Sequence, residues 1–149
     1  MIDGVKVIPL RQIHDERGKV MHMLKNTDEH FKQFGEIYFS TVFPGVVKAW
    51  HLHNEMTLHY AVPFGRIKLV LFDDRSDSPT NGSIDEIILG PENYMLVTVP
   101  PRVWNGFKGI DTQMSIVANC ASIPHKSEEI LRIDPEDPLI PYDWALKHR

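Results

Sequence analysis

At 149 residues, with 42% hydrophobic and 24% charged side chains, the chain can bury a substantial core and has the balance of a globular protein. A formal net charge of −4, with acids and bases interspersed, excludes a protein that coats nucleic acid by bulk charge but leaves room for a local cationic pocket for phosphates. No apolar run approaches the roughly 18 residues of a membrane span, residues 1–10 lack the apolar centre of a signal peptide, and a single cysteine, Cys120, rules out an internal disulfide framework, so a reducing cytoplasm is the expected compartment.

In chain order, short runs rich in Val and Ile predict strands over residues 5–10, 20–24, 36–42, 46–53, 58–62, 66–73, 84–89, 94–99, 104–110 and 114–119. Turn signals separate them: Pro44-Gly45, Pro63-Phe64-Gly65, Asn81-Gly82, Gly90-Pro91 and Pro100-Pro101. Thr27 is placed to cap a short helix that Gly35 would end, and a second short helix is expected over residues 144–147. With no repeat and no linker, one domain over residues 1–149 is expected, closing on an irregular arm from about residue 124. Short strands at this spacing read as a sandwich or closed barrel rather than βαβ units.

The segment from Gly45 to Gly65 carries the first chemical signal. His51 and His53 lie two apart on a predicted strand, so both side chains leave one face. If that face lines a barrel, two imidazoles share a cavity, where the near-neutral pKa of histidine suits proton transfer. The spacing resembles the first cupin motif, in which a Gly, a His-x-His, a Glu and a closing Gly form a metal-binding hairpin. Here Leu58 holds the Glu position. The second cupin motif is matched by residues 100–105, with Arg102 for its Gly and Asn105 for its His. A catalytic transition metal wants at least three oriented protein ligands. No metal and no cofactor are therefore expected, with His59 as a third ligand only if the hairpin register turned it inward. His51 and His53 also fit a hydrogen-bonded interior pair without chemistry.

Residues 73–82, Asp-Asp-Arg-Ser-Asp-Ser-Pro-Thr-Asn-Gly, resemble the Asp-x-Arg-x-x-Ser-Pro-Thr-x-Gly signature of the dTDP-4-dehydrorhamnose 3,5-epimerase family. Asp15-Glu16-Arg17-Gly18, the run from Gly45 to His51, Gly106-Phe107, Asp134-Pro135 and Trp144 match further family elements in the same order, so the resemblance spans nearly the whole chain. It implies an all-β cupin jelly-roll barrel, with one or two short helices from the pattern above, acting on a nucleotide-linked 4-keto sugar. The implied chemistry is proton transfer beside the ketone, through an enolate.

Carried over by position, His51 is the implied base, and Arg17 and Lys48 the phosphate contacts, Arg17 reaching across a homodimer. Glu36 and Tyr38 stand where the family has substrate-contacting amides, and Asn105 replaces a second pocket histidine. The position of the family's proton-donating tyrosine holds Ala118, and Tyr38, His53 and Glu36 are the candidates to replace it. The enolate-stabilising lysine position holds Leu58. The aspartate that orients the family's base lies beyond its last tryptophan, and this chain runs only five residues past Trp144, which reads as a shortened member. The candidate catalytic residues are thus His51, His53 and Tyr38, and the substrate-binding residues Arg17, Glu36, Lys48 and Asn105. Arg75 is read as bracing its loop with Asp73, and Trp50 and Trp104 as either stacking surfaces or barrel packing. Three other readings stay open: a sugar-nucleotide 3,4-ketoisomerase, favoured by His53; a binding protein without catalysis, favoured by Leu58 and Ala118; and a metal-dependent cupin.

Overall fold

The computed structural model describes residues 1–147; the last two positions of the expected arm lie outside the described residues. Among the described residues, twelve strands form two five-stranded antiparallel sheets and a separate hairpin. The first sheet runs β1 (Lys6–Pro9), β9 (Met95–Val99), β6 (Leu58–Phe64), β11 (Ser115–Ala121) and β4 (Glu36–Val42). The second runs β12 (Ile130–Arg132), β5 (Val47–His53), β10 (Trp104–Gly109), β7 (Ile67–Phe72) and β8 (Ile84–Leu89). The hairpin joins β2 (Gln12–Asp15) to β3 (Gly18–Met21). This is the double-sheet jelly roll that the strand spacing and the cupin resemblance predict.

Alternation builds the core. Leu58, Tyr60 and Val62 of β6 and Val97 and Val99 of β9 face Ile67, Leu69 and Leu71 of β7 and Phe107 of β10 across the sheets. At roughly 1.5–3 kcal/mol for each large side chain fully buried, this layer is the main force holding the sheets together. The outer face of the second sheet is covered by the C-terminal arm, whose Ile140 and Trp144 pack on Trp50, Leu52, Val70, Phe72 and Trp104. Trp50 is fully buried and donates through Nε1 to Pro135 O at 3.1 Å. Trp104 donates to Asp74 Oδ2 at 3.0 Å, so both tryptophans are packing residues.

The expected helices are absent. Among the described residues the only helix is a single 3₁₀ turn, Ser127–Glu129. Over residues 27–35 the chain makes isolated turns instead, with Asp28 N bonded to Lys25 O and Phe31 N to Asp28 O. The Asp28 carboxylate also accepts Lys25 N at 2.8 Å, offering the backbone a local alternative to a helical ladder. An isolated segment that short is below the length at which helix propagation repays nucleation.

The loop after β7 is the most heavily bonded stretch of the molecule. Asp73, with no solvent exposure, accepts Arg75 Nε at 2.8 Å, Ser78 Oγ at 2.6 Å and Thr80 Oγ1 at 2.7 Å. Arg75 also donates to Asp3 O, so the network ties the loop to the N-terminal segment. The signature of residues 73–82 is therefore architectural. At Arg102 the backbone keeps a left-handed φ of 64°, the conformation a glycine would favour and the cupin motif's Gly would supply.

Candidate active site

A cavity of about 570 Å³ opens between the sheets at the end where β4, β5 and β12 meet, a size suited to a small-molecule ligand. Because β5 alternates, Val47, Ala49, His51 and His53 share its lining, and the sequence-predicted Glu36, Tyr38 and Lys48 join them. The register pairs His51 with Asn105 on one side and Arg132 on the other, and His53 with Ile130. Asn105, 1% exposed, lies beneath the cavity, donating to His51 O at 3.2 Å and accepting Tyr60 Oη at 3.0 Å.

The two imidazoles have different surroundings. Burial, then electrostatic repulsion from Arg132, His53 and Lys48, pushes His51 down to about 4, so it is neutral at pH 7. Its ring makes no hydrogen bond among the described residues. His53 instead binds the Glu129 carboxylate through Nδ1, and both side chains are buried. Glu129 is fixed in turn by Glu55 N at 3.1 Å and Met56 N at 3.3 Å on its other oxygen. Burial pushes the Glu129 carboxyl up, but these bonds and His53 outweigh it and hold the net value low.

Two phenols face the imidazoles. Tyr38 accepts Asn119 Nδ2 at 2.9 Å, and burial raises its pKa; burial raises Tyr60 further. Both therefore stay protonated at neutral pH; Tyr60 donates its proton in a hydrogen bond to Asn105 Oδ1, whereas among the described residues Tyr38 only accepts, so its hydroxyl proton is left to face the cavity. Lys48 reaches the rim, where Nζ bonds Ser40 Oγ at 3.0 Å, and Glu36 accepts His125 N at 2.8 Å. Arg132 lines the cavity with a guanidinium that has no partner among the described residues.

Not every expected residue gathers here. Arg17 lies at the tip of the β2–β3 hairpin, its side chain 90% exposed and paired with Asp15 at 2.6 Å, away from this cavity. His59 is fully buried on the opposite face of β6, bonded to Cys120 O at 2.8 Å, so the register does not bring it to His51 and His53. Among the described residues, no three His, Cys, Asp or Glu side chains cluster so as to hold a metal ion. The residues that sequence reasoning missed are Tyr60, Asn119, His125, Glu129 and Arg132. Of these, Tyr60 had a signal: it lies two residues beyond Leu58 on the same strand face.

The family model described as dTDP-4-dehydrorhamnose 3,5-epimerase matches residues 1–149. The chain belongs to this family. It is 35% identical over 144 residues to a probable low-salt glycan biosynthesis epimerase of Haloferax volcanii, across 95% of this chain and 89% of that one. Its fold matches the crystal structure of a dTDP sugar isomerase from Desulfovibrio desulfuricans G20 with a TM-score of 0.94 and 46% identity, covering 96% and 92% of the two chains. It also matches the dTDP-6-deoxy-D-glucose-3,5-epimerase of Legionella pneumophila, solved with dTDP-4-keto-L-rhamnose, with a TM-score of 0.84 and 26% identity over 99% and 82%.

Two positions that the resemblance gives to catalytic side chains do not reach the cavity in this epimerase-family chain. Leu58, at the position the resemblance gives to a lysine, is core packing at 1% exposure. Ala118 lies between Val117 and Asn119, the two residues of β11 that line the cavity, and so turns to the other face.

Proposed function

We propose that this chain is an epimerase acting on a dTDP-linked 4-keto-6-deoxysugar by proton transfer through an enolate. The observation that carries the reading is the convergence of His51, His53, Tyr38 and Tyr60 in one cavity flanked by Lys48 and Arg132. An imidazole removes the proton beside the ketone and Tyr38, kept protonated by burial, returns one from another direction. Arg132 answers the charge on the enolate oxygen, a role the resemblance gives to a lysine and Leu58 cannot play. The sugar nucleotide enters a pathway of surface glycan or polysaccharide synthesis, as the names of its relatives suggest for them.

We place the protein in the cytoplasm as one domain that pairs with a second copy. Two features favour the homodimer. Ile37 and Phe39, 56% and 67% exposed, form an apolar stripe on β4 at the sheet edge, and Arg17 projects from its hairpin with no ligand cavity of its own. In that assembly Arg17 serves the partner's cavity. Lys48→Ala and Arg17→Ala should each weaken dTDP binding by about tenfold in calorimetry, since charge-assisted contacts to phosphate are the strong ones. Unchanged affinity in both would place the diphosphate elsewhere.

The test of function is NMR analysis of products from a panel of dTDP-4-keto-6-deoxysugars. Inversion beside the ketone supports the epimerase. Migration of the ketone to C3 would favour a 3,4-ketoisomerase, the reading to which the His51-x-His53 pair lends weight. Binding without turnover would favour a sugar-nucleotide-binding protein.

A further inference from the structure

Three histidines, His51, His53 and His125, line the cavity, but among the described residues only His53 binds a carboxylate through its ring. We propose that His53, oriented by Glu129, is the base that takes the substrate proton, while His51 stays neutral and hydrogen-bonds the carbonyl oxygen. The assignment rests on the epimerase reading and moves the base two residues along β5 from the position the family resemblance implies.

Taking a proton turns an imidazole into an imidazolium, so the base must be the ring whose surroundings welcome positive charge. At His53 the contact is a buried carboxylate, and in a site screened from water such a pairing is far stronger than in solvent. At His51 the neighbours are Arg132, His53 and Lys48, and among the described residues no carboxylate touches the ring. A second cation is disfavoured there, and the depressed pKa of His51 is the same fact seen at equilibrium.

Glu129 is also built to orient. One oxygen is occupied by Glu55 N and Met56 N, which leaves the other for His53 Nδ1. That bond sets the tautomer: with Nδ1 carrying the proton toward Glu129, the Nε2 lone pair lies on the far side of the ring. The pairing of Ile130 with His53 holds the 3₁₀ turn that carries Glu129 against β5. Glu129 is a positioning residue, since it reaches the substrate only through His53.

The step balances without any co-reactant. The C–H bond beside the ketone breaks and its proton goes to His53 Nε2. The electron pair forms the C=C bond as the carbonyl π pair moves onto oxygen. Protonation of the same carbon by Tyr38 restores the ketone, and the imidazolium and phenolate reset through solvent.

The test follows solvent deuterium into a dTDP-4-keto-6-deoxysugar with full-length wild type, His53→Asn, His51→Asn, Glu129→Gln and Glu129→Asp, alongside dTDP affinity by calorimetry. His53→Asn should slow exchange by about 10²–10⁴-fold, the usual contribution of a general base, with dTDP affinity retained. His51→Asn should lose only about tenfold, the effect of one hydrogen bond. Glu129→Gln should lower kcat with KM little changed and shift the ring ¹⁵N signals of His53 away from the Nδ1-protonated tautomer. Glu129→Asp should recover part of both, which a merely structural role would not produce. Exchange that survives in His53→Asn but vanishes in His51→Asn overturns the assignment alone. A wild type that exchanges nothing across the substrate panel overturns the epimerase reading, and the assignment falls with it.

Discussion

Asp73→Ala should lower folding stability by about 3–5 kcal/mol in urea unfolding at pH 7, the range found when one partner of a buried ion pair is removed. The carboxylate has no exposure, and its loss strands the Arg75 guanidinium and the Ser78 and Thr80 hydroxyls that now bond it. Burial alone would raise its pKa, yet the bonds from Arg75, Ser78 and Thr80 hold it well below its ordinary value of 3.8. The sign of the pH dependence follows. A carboxyl depressed in the folded state contributes fully above the unfolded value and loses that contribution as pH falls below 3.8 toward the folded value. Wild type should therefore lose stability on acidification below about pH 4, and Asp73→Asn should lack that part of the loss. A cost under about 1 kcal/mol at pH 7 would mean the loop network is no anchor, since that is the worth of an exposed pair.

Arg132→Ala should slow deuterium exchange by about 10²–10³-fold while leaving dTDP affinity near wild type, the effect expected of a group that stabilises developing oxyanion charge. The reason is its place. Arg132 pairs in register with His51 and faces the cavity with no competing partner among the described residues. Charge that appears only as the enolate forms lowers the barrier without tightening ground-state binding. Lysine at this position should recover part of the rate, because it keeps the charge but not the planar fork. The opposite split, with dTDP affinity lost and kcat kept, would make Arg132 a phosphate contact and leave the enolate to Lys48 or the phenols.

The β framework was largely legible because it rests on local alternation bounded by turn residues. The strands Glu36–Val42 and Ile84–Leu89 fall where their pattern places them, and the others differ by a few residues at their ends. Two strands escaped, each for a physical reason. Ile130–Arg132 is three residues long with no apolar alternation and exists because β5 offers it an edge. Gln12–Asp15 has mostly exposed side chains, so burial leaves no trace in its sequence. The site shows the same division. His51 and His53 are visible from two-residue spacing, which places side chains on one face, and Tyr38 from its place in the family resemblance. Glu129, within Ser127-Glu128-Glu129, reads locally as a solvated charge run, and only long-range packing buries it against His53. The helix expected over residues 27–35 shows the converse: a cap and a stop signal do not make a helix when tertiary bonds, Gln33 Nε2 to Ser122 O and Gly35 N to Ala121 O, both at 2.8 Å, hold the segment in another course.

The central claim is that this cavity makes and reprotonates an enolate beside the ketone of a dTDP-linked sugar. The most direct measurement is mass spectrometry of the sugar nucleotide after incubation of the full-length wild-type protein with a dTDP-4-keto-6-deoxysugar in D₂O. Non-exchangeable deuterium is expected on carbon adjacent to the ketone, at a rate well above the protein-free control. A product formed with no solvent deuterium, or a substrate panel returned unlabelled, would contradict it.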